Sequence, residues 1–156
     1  MAYIIAALPG VGITTTVNKL NSDKRLSAIE VQMPESVGLQ SSSAILVQNV
    51  LALVKQHEYV FIPPTVDAIN ALIDEGIALN VIYPHAETLE SHIQAMRDRG
   101  VDDEEIQLTL SFWDQFQSTF EAYTHPANRL TKLRLPKDRA LDQVFDAVRK
   151  HLVIAK

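Results

Sequence analysis

Tyr3-Ile4-Ile5-Ala6-Ala7-Leu8-Pro9-Gly10-Val11-Gly12-Ile13-Thr14-Thr15-Thr16 is the stretch that decides the fold. Its first six residues are nearly all apolar and stop at Pro9-Gly10, the pattern of a strand buried on both faces of a parallel sheet. Two glycines then make a loop, and Thr14 to Leu20 can open a helix with Val17 and Leu20 on one side, left through the polar exit Asn21-Ser22-Asp23.

The same alternation continues outward. Ser27 to Val31 reads as a second strand, and Ser41 to His57 as a helix with an Ile45, Leu46, Val50, Leu53, Val54 stripe behind capping serines. Tyr59-Val60-Phe61-Ile62 is a third strand stopped by Pro63-Pro64. Thr65 caps a helix that runs to Gly76, and Leu79 to Tyr83 is a fourth strand cut by Pro84. Two helices follow, Glu87 to Arg99 ending at Gly100, and one opened by Asp102-Asp103-Glu104-Glu105 with Ile106, Leu110 and Trp113 on its stripe. A polar connector, Thr124 to Thr131, leads to a short strand, Lys132 to Leu135, and a closing helix, Asp138 to Leu152. The expected fold is therefore a three-layer α/β domain of about five mostly parallel strands with helices on both faces, one domain over 1–156. Such sheets bind ligands at the carboxyl ends of their strands, here Pro9 to Gly12, the region after Val31, Pro63 to Thr65, and Tyr83 to His85.

The loop between the first strand and first helix is where a phosphate loop stands. Its glycines let backbone N–H groups turn inward, the helix start adds a positive dipole, and Thr14 or Thr15 can reach a phosphate or a magnesium ion. The full pattern is Gly, four residues, Gly, Lys, Ser/Thr; set on Gly12 it puts Ala7 at the first glycine, Ile13 at the lysine and Thr14 at the hydroxyl. Two of the four positions depart. The lysine charge bridges the β- and γ-phosphates in the transition state, and losing such a contact costs on the order of 10²-fold or more in rate. Two plainer readings stand beside this one: a glycine turn that binds nothing, and a threonine cluster that only caps the helix.

The 156 residues carry 14 Lys+Arg, 19 Asp+Glu, 5 His, no Cys and 47% hydrophobic residues. That suits one domain with its own core. No apolar run reaches the roughly 18 residues of a membrane span, and the basic start of a signal peptide is missing, so a cytoplasmic protein is expected. Zero cysteines exclude disulfides and thiolate chemistry. The formal charge of -5 disfavours a nucleic-acid partner. The histidines lack metal-ligand spacing, and no Ser-His-Asp set or carboxylate pair stands out.

Several of these segments together resemble a known group, the small P-loop proteins of nucleoside-monophosphate-kinase type encoded by many bacteriophages. The resemblance rests on Leu8-Pro9-Gly10-Val11-Gly12, Val60-Phe61-Ile62-Pro63-Pro64-Thr65, Leu79-Asn80-Val81-Ile82-Tyr83-Pro84, Met96-Arg97-Asp98-Arg99-Gly100 and Ser111-Phe112-Trp113-Asp114. It implies a kinase-like fold with a short helical lid at about 85–123, ATP with magnesium, and a nucleotide acceptor. By position it implies that Pro9, Gly10, Val11, Gly12, Ile13, Thr14 and Thr15 line the phosphate loop, that Thr14 reaches the metal, that Arg97 and Arg99 are lid arginines, and that Glu30 is the acid after strand two. The departures are Ile13, Asn70 or a neighbour where relatives often carry an arginine, and a lid with one basic residue fewer, Ala95 standing on that turn.

Arg97 and Arg99 stand two apart, so they point to different sides of a helix end, where cations also suit the dipole without any ligand. Glu30 can hold magnesium through water or simply be a solvated strand end, and Trp113 reads as core. Two functions follow: a nucleotide- or phosphate-binding kinase-like protein with weak or lost phosphoryl transfer, and an inactive pseudo-kinase serving as a protein-interaction or regulatory module. Activity would require a replacement cation at the loop, for which Lys19, Arg97, Arg99 and Arg129 are the candidates. The acceptor, a protein partner and the oligomeric state are left open by the sequence.

Overall fold

The computed structural model describes residues 2–7, 12–23, 26–63, 65–83, 89–115, 130–136 and 139–155. In chain order the elements are β1 (Tyr3–Ala7), α1 (Ile13–Ser22), β2 (Ala28–Glu30), α2 (Ser42–Leu53), β3 (Tyr59–Ile62), α3 (Val66–Asp74), β4 (Leu79–Tyr83), α4 (Leu89–Asp98), α5 (Asp103–Gln115), β5 (Leu130–Arg134) and α6 (Leu141–Val148), followed by a 3₁₀ turn, Arg149–His151.

The strands form one five-stranded sheet in the order β2-β3-β1-β4-β5, with every pairing parallel. Register runs from Tyr3 opposite Tyr59 to Ala6 opposite Ile62 on one side of β1, and from Ile5 opposite Asn80 to Ala7 opposite Ile82 on the other. The chain leaves β1 toward the β2 edge and thereafter moves only the other way. Right-handed crossovers therefore place α1 on one face and the later crossover helices on the opposite one. The packing agrees, since α1 lies against α6 while α2 lies against α3.

Burial follows position in the sheet. All of β3 and β4, and β1 from Ile4 onward, are buried, which is why these strands read as unbroken apolar runs. Asn80 is the polar exception in β4, fully buried. Its amide group donates to the carbonyls of Ile4 (3.1 Å) and Val153 (3.0 Å), and its oxygen accepts from the Val153 N–H (2.8 Å). It thereby ties the C-terminal segment to the sheet centre, helped by Ala155 N–H donating to the Ala2 carbonyl at 2.9 Å. On the α6 side, Tyr59 stacks on Tyr3 at 5.5 Å and meets Phe145 edge-on at 5.3 Å.

The helix punctuation expected from sequence is present. Ser41 Oγ accepts from Ala44 N–H at 3.1 Å, Thr65 Oγ1 from Ala68 N–H at 3.2 Å, and Asp102 Oδ1 from Glu105 N–H at 2.9 Å. Gly76, with φ of 79°, turns the chain out of α3 while Ile77 N–H reaches back to the Leu72 carbonyl at 3.0 Å.

Several boundaries differ from expectation, among them three with a clear local cause. β5 starts at Leu130 and not at Lys132, because its ladder with β4 extends from Leu79–Leu130 to Tyr83–Arg134 and an edge strand needs no apolar pattern to hold it. The second helix stops at Leu53 and not His57, giving way to turns. The closing helix starts at Leu141, where Ala140 is extended and donates its N–H to Gln143 Oε1 at 3.0 Å.

The expected lid region contains α4 and α5, with 84–88 and 116–129 outside the described residues. The two helices share a small cluster of Ile93, Met96 and Ile106, separate from the main core, whereas Trp113 on α5 belongs to the main core. Among the described residues no helix is long and apolar enough to cross a membrane.

Candidate functional site

The site is built where β1 feeds α1. Gly12 is the N-cap of α1 with φ of 100° and ψ of 33°, a left-handed conformation that a side chain disfavours. Its carbonyl accepts both the N–H of Thr16 (3.0 Å) and the Thr16 hydroxyl (2.7 Å), which starts the helix. The φ demands glycine, and a Cβ there would lie 2.9 Å from Asp142 Oδ1 at the start of α6, so that carboxylate would have to move aside. As a glycine, the N-cap brings no side chain to cap the first turn of α1. The threonines are used otherwise: Thr16 bonds back to Gly12, and the exposed Thr14 Oγ1 donates to Glu30 Oε2 at 3.0 Å.

That Thr14–Glu30 bond joins the start of α1 to the last residue of β2 and forms one side of a cleft of about 490 Å³. The floor is Ala7, Gly12, Ile13, Thr14 and Thr15. One wall is the chain leaving β2, from Glu30 to Met33; another is the end of β3 with Phe61, Ile62, Pro63 and the α3 cap Thr65. Arg99, just past α4, and Glu105, in the first turn of α5, complete it. The carboxyl ends of β1, β2 and β3 thus meet at one opening, as an open parallel sheet requires of its ligand site.

The predicted residues distribute as follows. Gly12, Ile13, Thr14, Thr15, Glu30 and Arg99 all line this cleft. Pro9, Gly10 and Val11 lie outside the described residues. Arg97 is exposed in the last turn of α4 and is not among the cleft-lining residues, which accords with the two-residue offset from Arg99. Ile13, at the lysine position, is half-buried and packs against the main core. Of the replacement cations, Lys19 is on the α6 side of α1, where its Nζ donates to the Asp142 carbonyl at 3.3 Å, and Arg129 is outside the described residues. Among the described candidates, Arg99 reaches the opening.

Sequence reading missed Glu105, Asp142 and the apolar wall of Met33 and Phe61. The strand-end rule points to the region holding Met33, but nothing local marks Asp142, which meets Gly12 only through the α1–α6 packing. Among the described residues no group of three or more His, Asp or Glu side chains is placed to hold a metal ion. Thr14 and Glu30 offer two hard oxygen atoms side by side, a donor set that suits magnesium with water completing its shell. The lysine position does not suit the β- and γ-phosphates of ATP, because the aliphatic Ile13 occupies it.

The all-parallel sheet order and the glycine-started helix after β1 define an α/β fold consistent with a P-loop-like Rossmannoid topology. The chain is similar over 97% of its length to the crystal structure of an uncharacterized protein from Eubacterium ventriosum, covering 98% of that chain at 12% identity with a TM-score of 0.50; this is a likeness of fold. No protein-family model matches the chain, and no curated protein does.

Proposed function

We propose that this protein binds a nucleotide or other phosphate ligand in the cleft above β1, as a P-loop kinase-like domain whose phosphoryl transfer is weak or lost. The carrying observation is the Thr14–Glu30 hydrogen bond, which sets a hydroxyl and an acid beside a helix start whose N-cap is a glycine. The N–H groups of a helix's first turn and the helix dipole favour an anion there. Arg99 adds the one cation on the described lining. The motif resemblance to phage-encoded nucleoside-monophosphate-kinase-like proteins supports the same reading, with the host cytoplasm as its place of action. Thr14 and Glu30 are the residues that would hold magnesium, and the bound ion would neutralise phosphate charge. ATP is the poorer fit, since Ile13 supplies no charge where the γ-phosphate is transferred.

The alternative reading is an inactive pseudo-kinase used as an interaction or regulatory module. It is favoured by the core packing of Ile13 and by the tight turn at Val37 to Gln40, whose Val37 and Leu39 side chains are exposed. Titration with ATP and mononucleotides, with and without magnesium, followed by heat and thermal shift and then by a coupled phosphotransfer assay, tests both. Binding with turnover supports a kinase, binding without turnover a pseudo-kinase, and no response at millimolar ligand contradicts the cleft assignment.

A further inference from the structure

Among the described residues the sheet ends at β2, which pairs with β3. Its main-chain groups divide by alternation along the strand. The Ser27 carbonyl accepts from Tyr59 N–H at 3.0 Å, and Val31 N–H donates to the Phe61 carbonyl at 2.8 Å, so the odd-numbered residues turn their groups to β3. Those of Leu26, Ala28 and Glu30 turn the other way, toward the edge where a further strand could add.

At Ala28 both groups are already taken. Asn21, in the last turn of α1, accepts from Ala28 N–H at 2.8 Å through its side-chain oxygen and donates its amide to the Ala28 carbonyl at 2.9 Å. One residue thus gives and receives a bond with a single amide group, the same exchange that two opposed residues of an antiparallel pair make. The Leu26 N–H is taken as well, by the Asp23 carbonyl at 2.9 Å. Asn21 is held in place by its own turn, where the Ser22 hydroxyl donates to the Lys19 carbonyl at 2.6 Å and Asp23 N–H to the Leu20 carbonyl at 3.1 Å.

We infer that Asn21 closes the β2 edge against antiparallel pairing with β2 of a second copy of this chain. The edge is complementary to itself: about a two-fold axis at Ala28, each copy offers the other one N–H and one carbonyl, and the contact closes with two chains. The strand's own sequence gives little protection. Proline and lysine, the common edge guards, are missing from Ser27 to Val31, while Ile29 and Val31 favour an extended chain. A side chain from the same molecule makes the bonds without the entropy cost of bringing two chains together, so it outcompetes the second copy.

Sedimentation velocity over a concentration series, with amide hydrogen exchange at Ala28, tests the inference on the whole chain. Asn21 is exposed, so Asn21→Ala opens no cavity in the core. This variant is expected to self-associate at least about tenfold more strongly than the wild type. Its Ala28 amide should exchange faster than the wild type's in dilute solution and slow again as concentration rises. Asn21→Asp keeps an acceptor for the Ala28 N–H and puts a negative charge on the edge, so it should associate no more than the wild type. Both variants lose the amide donor to the Ala28 carbonyl, and association caused by mere destabilisation would appear in both. Equal association of the two variants overturns the inference. So does an Asn21→Ala protein that associates no more than the wild type, or one that associates without renewed protection at Ala28.

Discussion

Thr14 and Glu30, sixteen residues apart, are joined by a 3.0 Å hydrogen bond that fastens the first turn of α1 to the end of β2. The bond crosses above β3, which lies between β1 and β2 in the sheet. It makes a carboxylate part of the rim of a cleft whose floor is a helix start. Attraction from the amides and repulsion from the acid act on the same ligand, and their balance is open to measurement.

Replacing Glu30 by Gln keeps an oxygen that Thr14 can donate to and removes the negative charge. Affinity for inorganic phosphate without magnesium should rise severalfold at low ionic strength, and the gain should shrink as salt screens the charge. Titrations at two salt concentrations check this; an affinity indifferent to the substitution places the Glu30 charge outside the ligand's reach.

Gly12→Ala combines a left-handed φ of 100° with a Cβ 2.9 Å from Asp142 Oδ1. A loss of about 1–3 kcal/mol is expected in urea denaturation. Asp142→Ala removes the contact but not the backbone strain, so the double variant should recover part of the loss. Full additivity of the two substitutions would show that the carboxylate does not press on this site.

Asn80→Ala removes the side-chain tie between the C-terminal segment and the sheet centre, leaving both polar groups of Val153 to find other partners. Destabilisation of about 2–4 kcal/mol is expected, with amide exchange at Val153 and Ala155 accelerating first. Uniform acceleration across β1, β3 and the tail would mean that the segment does not detach as a local unit.

Burial raises the Tyr59 phenol above the ordinary tyrosine value, with the Glu58 carboxylate adding to the shift and Arg149 opposing it. The unfolded chain therefore loses this proton at lower pH than the folded one does. The resulting stability is fully present below pH of about 10 and is lost as pH rises through the folded-state value. Tyr59→Phe should flatten the alkaline limb of a melting-temperature profile; an unchanged limb assigns alkaline unfolding to other groups.

What the sequence made legible follows from where each residue sits. β3 and β4 were readable to the residue because both faces are buried, so each is an apolar run, broken in β4 only by Asn80, with prolines following. α3 was readable because Thr65 and Gly76 mark its two ends chemically. The start of β5 was not, since Thr131 and Lys132 sit half-buried on an edge held by main-chain bonds. In the site, Gly12, Thr14 and Glu30 could be placed by counting from strand ends. Glu105 and Asp142 could not, because they reach the cleft and Gly12 through helix packing across more than a hundred residues for Asp142, and that packing leaves no local pattern.

The central claim is that the start of α1 is an anion site. Two-dimensional amide NMR of the protein titrated with phenyl phosphate tests it most directly. Saturable shifts at the N–H groups of Ile13, Thr14 and Thr15, accompanied by Arg99 and absent with phenol as ligand, are the predicted result. Unmoved first-turn amides at millimolar phenyl phosphate, or the same shifts produced by phenol, would contradict it.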